Sequence, residues 1–508
     1  MLPYEAFAQD DWKVTKRLTV NFGLRISHFQ PWIDRLGYGY STFNYADYNS
    51  SCTPTQYCGF QWHKRDPSVP IGGFPTRFAF YQPRFGLAYD LFGAGKTVLR
   101  GGWGRYYYHA GQFTNGLDVA AGVQTTTVSP STVGGVPLFA NQLDTLNFTS
   151  QALSPAAVDS QDSKQPYTDS YSFTISQRLP WSSLMEVAYV GNQTHDIPGA
   201  GNGGSLGINT LNLNLVPMGA MLSSNNGGAD PNKLNANTFR PLQGFSDLYV
   251  ATNNGWSNYN SMQVTWVRTK GRYTVNMNYT YSKALGIVGF YDQFNLNNDY
   301  GVLPSNRTHI FNAAYSIDLG DHTKARLAGA FVNGWQLSGI TQIESGANLT
   351  GFSGQNFGMN LNGATVPGTN FLISNTALLG TPNMQLNPIL TCNPTANLGP
   401  HQFINSSCFS MPTQIGQNGP TTLPAMYGPA FFNSDLALFK NFNFTESKKL
   451  QFRIDGYNFL NHPLWSFTGS NLSLGFDPGT GKVNNPNFGT TTFKQGFRVI
   501  QLAIKFYF

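Results

Sequence analysis

The chain has 508 residues, 41% of them hydrophobic, but only 11% charged and 14% aromatic. Ordinary soluble domains carry about 25% charged residues, so this balance points away from a simple soluble globule. The formal net charge of +6 includes no run of Lys or Arg, which argues against a nucleic-acid partner, and no stretch of about 18 apolar residues offers a transmembrane helix. Low charge with many aromatics, Gly and Asn suits an all-β chain with long polar loops.

In chain order, residues 4–13 form a first, weakly alternating strand. A short turn at 14–17 leads into 18–27, where Leu18, Val20, Phe22, Leu24 and Ile26 oppose Thr19, Asn21, Gly23, Arg25 and Ser27. That period of two is the signature of a strand with two different faces. Residues 30–80 read as a long loop. Strand 84–91 returns through the turn 92–96 into 97–108, and a loop of about 58 residues follows. Tyr171, Phe173 and Ile175 alternate with serine and threonine; the turn 180–182 leads to Met185, Val187 and Tyr189. A second Asn/Gly-rich loop runs to about residue 257.

The hairpin at 258–283 alternates most cleanly. Tyr273, Val275, Met277, Tyr279 and Tyr281 oppose Thr274, Asn276, Asn278, Thr280 and Ser282. Strand 307–319 follows, then a turn at 320–323 and a long strand through Trp335, Leu337 and Ile343. Residues 347–431 read as loop. Leu436 and Leu438 open the next strand, the turn 445–448 leads into 450–455, and a loop covers 462–494. The last strand places Ile500, Leu502, Ile504, Phe506 and Phe508 on one face and Gln501 and Lys505 on the other.

The pattern predicts about thirteen strands joined alternately by short turns and long loops. It is the pattern of an antiparallel transmembrane β-barrel, with short periplasmic turns, long extracellular loops, lipid on one face and a wet lumen on the other. It implies a bacterial outer-membrane location, with membrane lipid as one partner. Single-chain bacterial barrels have even strand counts, so an odd count together with a start that carries no signal peptide is read as an N-terminally incomplete barrel spanning 1–508.

Several stretches then resemble the barrel of Oar-like TonB-dependent receptors, whose N-terminal domain is carboxypeptidase-regulatory-like. They are AQDDWKVTKRLTVNFGLR (8–25), QPRFGLAYDLFGAGKTVLRGGWGRYY (82–107), YVGNQTH (189–195), NRTHIFNAAYS (306–316), NGWQLSGITQIESG (333–346) and DLALFKNFNFTESKKLQFRIDGYNFLNHPLW (435–465), with SNYNSMQV and YTYSKAL inside 257–285. The resemblance implies a barrel of 22 strands. It implies a receptor that binds a solute too large for porins and imports it, with plug, signal peptide and TonB-contacting segment upstream. The C-terminal strand, ending on the aromatic Phe508, would be the handle for the barrel-assembly machinery. The ligand is not named by the resemblance. The alternatives are a passive channel or adhesion barrel, and a soluble carbohydrate-binding β-domain. The loop aromatics Trp32, Tyr38, Tyr40, Tyr57 and Trp62 offer surfaces that stack on sugars or peptides, against the plainer reading of loops packing on themselves.

No enzymatic centre or cofactor site is expected. GAGKT at 93–97 has Asp90 where a phosphate loop needs its first glycine, and it falls in a turn. GFSG at 351–354 is followed by Gln355 rather than the last glycine of a nucleophile elbow. No HExxH occurs, and the eight histidines are scattered. The candidate lumen contacts are Arg84, Arg100, Glu186, Arg307, Arg453 and Asp455, against the plainer reading of a generic polar wall with paired charges. Cys52, Cys58, Cys392 and Cys408 fit no zinc spacing. They are expected as two local loop disulfides, 52–58 and 392–408, with four free thiols as the alternative.

Overall fold

A computed structural model describes residues 4–30, 37–51, 57–109, 156–197, 210–289, 291–352, 356–445 and 447–508. Thirteen long strands follow one another around a single sheet. They are β1 (Tyr4–Lys13), β2 (Leu18–His28), β3 (Phe80–Asp90), β4 (Thr97–Tyr107), β5 (Tyr167–Leu179), β6 (Ser183–Ile197) and β7 (Gly255–Arg268). The series continues with β8 (Tyr273–Ile287), β9 (His309–Gly320), β10 (Trp335–Glu344), β11 (Phe431–Asn443), β12 (Lys449–Tyr457) and β13 (Val499–Tyr507). Each strand pairs antiparallel with its chain neighbours, and the short strand Tyr300–Val302 adds to β8. Among the described residues, β1 and β13 have no partner on their outer edges.

The cross-strand register fixes the two faces. Leu18, Tyr89, Leu99, Ile175, Val187, Val264, Tyr279, Phe311, Ile343 and Phe432 stand opposite one another from β2 through β11. One residue along, Thr19, Ala88, Arg100, Thr174, Ala188, Gln263 and Thr280 form the corresponding row on the other face. A slip of one residue between any two strands would break both rows, so alternation sets the register as well as the strands.

The apolar face is left open. On β13, Leu502 is 68% exposed and Ile504 69%. A water-soluble protein does not present so continuous an apolar surface. Two glycines on this face are covered by the aromatic ring directly opposite: Tyr171 over Gly191 and Tyr315 over Gly339. A Cβ at Gly339 would lie 2.5 Å from the Tyr315 ring and 2.7 Å from Leu436. Gly339→Val is therefore expected to destabilise the β9–β10–β11 region by about 1–3 kcal/mol. Urea titration in detergent, with Tyr315→Ala as the background that relieves the clash, measures it.

The short turns lie at one end of the strands. At 91–96, Asp90 accepts the backbone N–H groups of Gly93 (3.0 Å) and Gly95 (2.8 Å), both glycines at positive φ. That accounts for GAGKT as a hairpin turn. The connection between β9 and β10 departs from expectation. Instead of a tight turn and a longer strand, it contains a helix, α1 (Arg326–Val332), and β10 starts only at Trp335. Leu327 and Phe331 are four apart, a helical spacing with no period of two.

The long connections at the other end are not featureless loops. Leu349, Phe357, Leu378, Ile404, Phe409, Met426, Leu474, Phe476 and Phe488 form a buried core from segments 345–430 and 458–498. A second core joins Phe60, Ala157, Phe245 and Leu248 from three different connections. The buried hydrophobic mass of this protein thus sits in its loops, while the sheet keeps its apolar face outward. The loops also interlock: the Val216 N–H donates to Asn383 Oδ1 (2.9 Å), and the Gln385 N–H to the Tyr291 carbonyl (3.2 Å).

Candidate functional site

The polar face of the sheet is the surface on which a solute or another part of the protein can sit. Its alternation places Arg84, Arg100, Glu186, Arg453 and Asp455 on that face. Arg307 is not among them: β9 begins at His309, and Arg307 precedes it, donating to the carbonyls of Pro304 (3.2 Å) and Asn306 (2.9 Å).

Arg100 lies 3.3 Å from Glu186 across the intervening strand, and Glu186 also accepts from Ser176 Oγ at 2.6 Å. Arg453 Nε reaches both oxygens of Asp455, at 2.6 and 2.8 Å. Arg25 pairs with Glu5 on the same face. Of the candidate charges on this face, Arg100, Glu186, Arg453 and Asp455 are therefore paired, as a generic polar wall would have them. Arg84 differs. Its guanidinium lies 4.8 Å over the Tyr106 ring and its buried Nε has no hydrogen-bond partner.

Arg84 stands in a depression where side chains are missing. Gly23, Gly86, Gly102 and Gly104 occupy adjoining positions on β2, β3 and β4, flanked by Ser170, Ser172 and Asn192, around a cavity of about 440 Å³. A second depression of about 480 Å³ lies between β8 and β12. Small residues (Ala314, Ser316, Ser338 and Ala437) form its floor, and Arg453 and Asp455 its wall. Bare backbone and short side chains let a bulky group approach the wall, while nearby charges supply hydrogen bonds.

One strong ion pair was not legible from the alternation. Arg105 and Asp169 face each other on the apolar side, joined by two hydrogen bonds of 2.8 and 2.7 Å, with Arg105 4.2 Å over the Tyr167 ring. They sit at the long-loop ends of β4 and β5, beside Tyr107. Charge with aromatics at the rim of an apolar band marks an interface with water or headgroups.

Of the cysteines, Cys392 and Cys408 are joined, their Cα atoms 4.8 Å apart. Cys58 is disulfide-bonded, and Cys52 lies outside the described residues. Phe508 is 93% exposed and stacks on Phe506 at 6.1 Å. The loop aromatics are engaged within the loop region, partly with other loops: Lys64 lies 3.9 Å over Tyr38, Tyr57 packs edge-on against Trp62, and Tyr40 packs against a core that holds Phe74 from its own connection and Val158 from the next. Trp32 lies outside the described residues.

The family model described as "outer membrane beta barrel domain" matches residues 2–501. The chain belongs to the outer membrane β-barrel domain family. The barrel domain accordingly lies in the bacterial outer membrane, its apolar face against lipid. No curated protein matches it. Among solved structures it is similar to the ferric-catecholate import receptor Fiu of E. coli K12 (9% identity, TM-score 0.40, 99% of this chain and 44% of that one). It is similar also to the siderophore receptor PirA of Acinetobacter baumannii (9%, 0.43, 99% and 45%) and to the ferripyoverdine receptor of Pseudomonas aeruginosa (7%, 0.41, 99% and 38%). The barrel domain thus spans less than half the length of these receptors.

Proposed function

We propose that this barrel domain is the larger part of the wall of an Oar-like TonB-dependent receptor, which binds a solute too large for porins and imports it. The observation that carries the reading is the polar face: paired charges on a continuous wall, interrupted by two depressions of small residues. A wall of that kind suits a plug and a passing solute better than a packed protein core. The unpaired outer edges of β1 and β13 support a wall completed by further strands of the same protein, since an open edge exposes unmet backbone hydrogen bonds in lipid. A plug and an energy-coupling segment belong to that same remainder. β13, with Ile504 and Phe506 on its apolar face, is the strand on which the barrel-assembly machinery acts in this reading. The chain carries no catalytic role in this reading.

The test is accumulation of labelled solutes (ferric siderophores, oligosaccharides and peptides) by cells producing the whole protein, with and without a working TonB system. Entry of at least one class only when TonB works is the expected result. Equal entry without TonB would establish a passive channel instead, and surface binding without entry an adhesion barrel.

A further inference from the structure

The helix α1 lies at the short-turn end, which is the periplasmic end of an outer-membrane barrel. It is attached to the lipid side of the wall. Trp335 and Lys440 stand opposite each other in the register, in line with Phe452 and Ile504 on the apolar face. Both side chains hold the last turn of the helix. Trp335 Nε1 donates to the Phe331 carbonyl at 2.6 Å, and Lys440 Nζ to the carbonyls of Ala330 (2.6 Å) and Gly329 (3.4 Å). The Ala330 and Phe331 carbonyls are among those a helix end leaves open, while that of Gly329 also accepts the Asn333 N–H at 3.1 Å. A second clamp closes the approach: Asn333 Oδ1 accepts the N–H groups of His322 (2.8 Å) and Thr323 (3.1 Å), and Asn333 Nδ2 donates to the Thr323 carbonyl.

The helix is thus firmly placed, yet its apolar residues touch little protein. Leu327 is 83% exposed, Phe331 75% and Val332 46%. Such a segment in water would be an unexplained apolar patch. Here it continues the lipid-facing surface beyond the strand ends. The Trp and Lys that hold it are the residue types that settle at the membrane–water boundary, the lysine with its stem along apolar surface.

We propose that α1 is an interfacial anchor, lying in the headgroup layer of the periplasmic leaflet with Leu327 and Phe331 inserted among phospholipid chains. A short apolar helix suffices because the wall supplies the rest of the membrane attachment; α1 sets the depth and tilt of the β9–β10 hairpin.

The test uses the full chain in vesicles of phosphatidylethanolamine and phosphatidylglycerol. A small environment-sensitive fluorophore is placed at Ala328→Cys, an exposed helix position, and for comparison at Ser447→Cys in another short turn. The Ala328→Cys label is expected to be blue-shifted, quenched by lipids brominated near the headgroup, and protected from aqueous iodide; the Ser447→Cys label is expected to show the reverse. Adding Leu327→Gln and Phe331→Gln to the Ala328→Cys chain should abolish lipid quenching there. Iodide access at Ala328→Cys equal to that at Ser447→Cys would overturn the proposal, as would lipid quenching that survives the double substitution. Protection from both quenchers would overturn it too, since it would mean a protein covers the helix.

Discussion

Val264→Arg destabilises the barrel by about 2–4 kcal/mol, whereas Gln263→Arg, one residue away, changes stability by less than about 1 kcal/mol. Val264 lies inside β7, four residues from its turn end, with Val187 on one side and Tyr279 on the other. Its row faces lipid, where an unpaired guanidinium finds neither water nor a carboxylate. Gln263 stands between Ala188 and Thr280 on the polar face and donates to Ser261 Oγ at 3.2 Å. An arginine there loses one weak hydrogen bond and gains wet surroundings. Refolding into vesicles at a series of urea concentrations gives both numbers. Equal effects at the two positions would mean that the faces have been assigned wrongly.

The second large effect is a pH dependence in the loops. Asp299, in the connection between β8 and β9, is fully buried. One carboxylate oxygen accepts the N–H groups of Tyr291 (2.8 Å) and Asp292 (3.2 Å); the other has no partner. Burial raises its pKa from 3.8 to about 7, against the two backbone N–H groups that lower it, and the nearby Asp292 charge adds to the rise. No basic side chain contributes. Asp292 accepts the N–H groups of Phe294 and Asn295 and the Asn298 side-chain amide. The Tyr291 phenol is raised as well, by burial first and then by Asp299.

The sign follows from linkage. Between about pH 4 and 7 the folded loop holds a proton that the unfolded loop has released, so stability falls as pH rises through that window. The full span corresponds to on the order of 4 kcal/mol, an upper figure for a loop that can relax. Asp299→Asn keeps an acceptor oxygen and cannot ionise. Pulse proteolysis of segment 288–308 should therefore show the natural loop more protected at pH 6 than at pH 8, and the asparagine variant alike at both. Matching pH profiles for the two proteins would refute the assignment to Asp299.

The wall was legible in the sequence because each strand carries its own evidence. Thirteen alternating segments were readable, and thirteen long strands form the sheet. Boundaries erred mostly toward shortness: β3 begins at Phe80 rather than 84, and β11 at Phe431 rather than near 436. At those ends the strands run into the loop region, where alternation fades. Helix α1 was hidden because seven residues give less than two full turns of pattern. The loop cores were hidden for a different reason. Phe357, Ile404 and Phe488 belong to no period; they meet only because Asn-rich turns fold three distant stretches back on one another. Asp299 is one acid in an Asn-rich stretch, and only its depth distinguishes it. Arg105 and Asp169 were missed because alternation assigned their face to lipid, and the rule weakens where the lipid ends. The two depressions arise from residues too small to attract notice singly, brought together by register.

The interlocked loops also constrain the order of events during assembly. The contact between Val216 and Asn383 closes across 167 residues, and Thr381 bonds the Val216 carbonyl across 165. Contacts so distant in sequence are slow to find and give nothing until their ends are already near. Four strands, β7 to β10, must be in register before those two loops can meet. The loop cores are therefore late structures, completed on the far side of the membrane after the hairpins beneath them have inserted. A register error in the wall would leave Phe245 and Leu378 without neighbours, exposed outside the cell where proteases can reach them. Folding of the loops would in that way act as a final check on the strands that carry them.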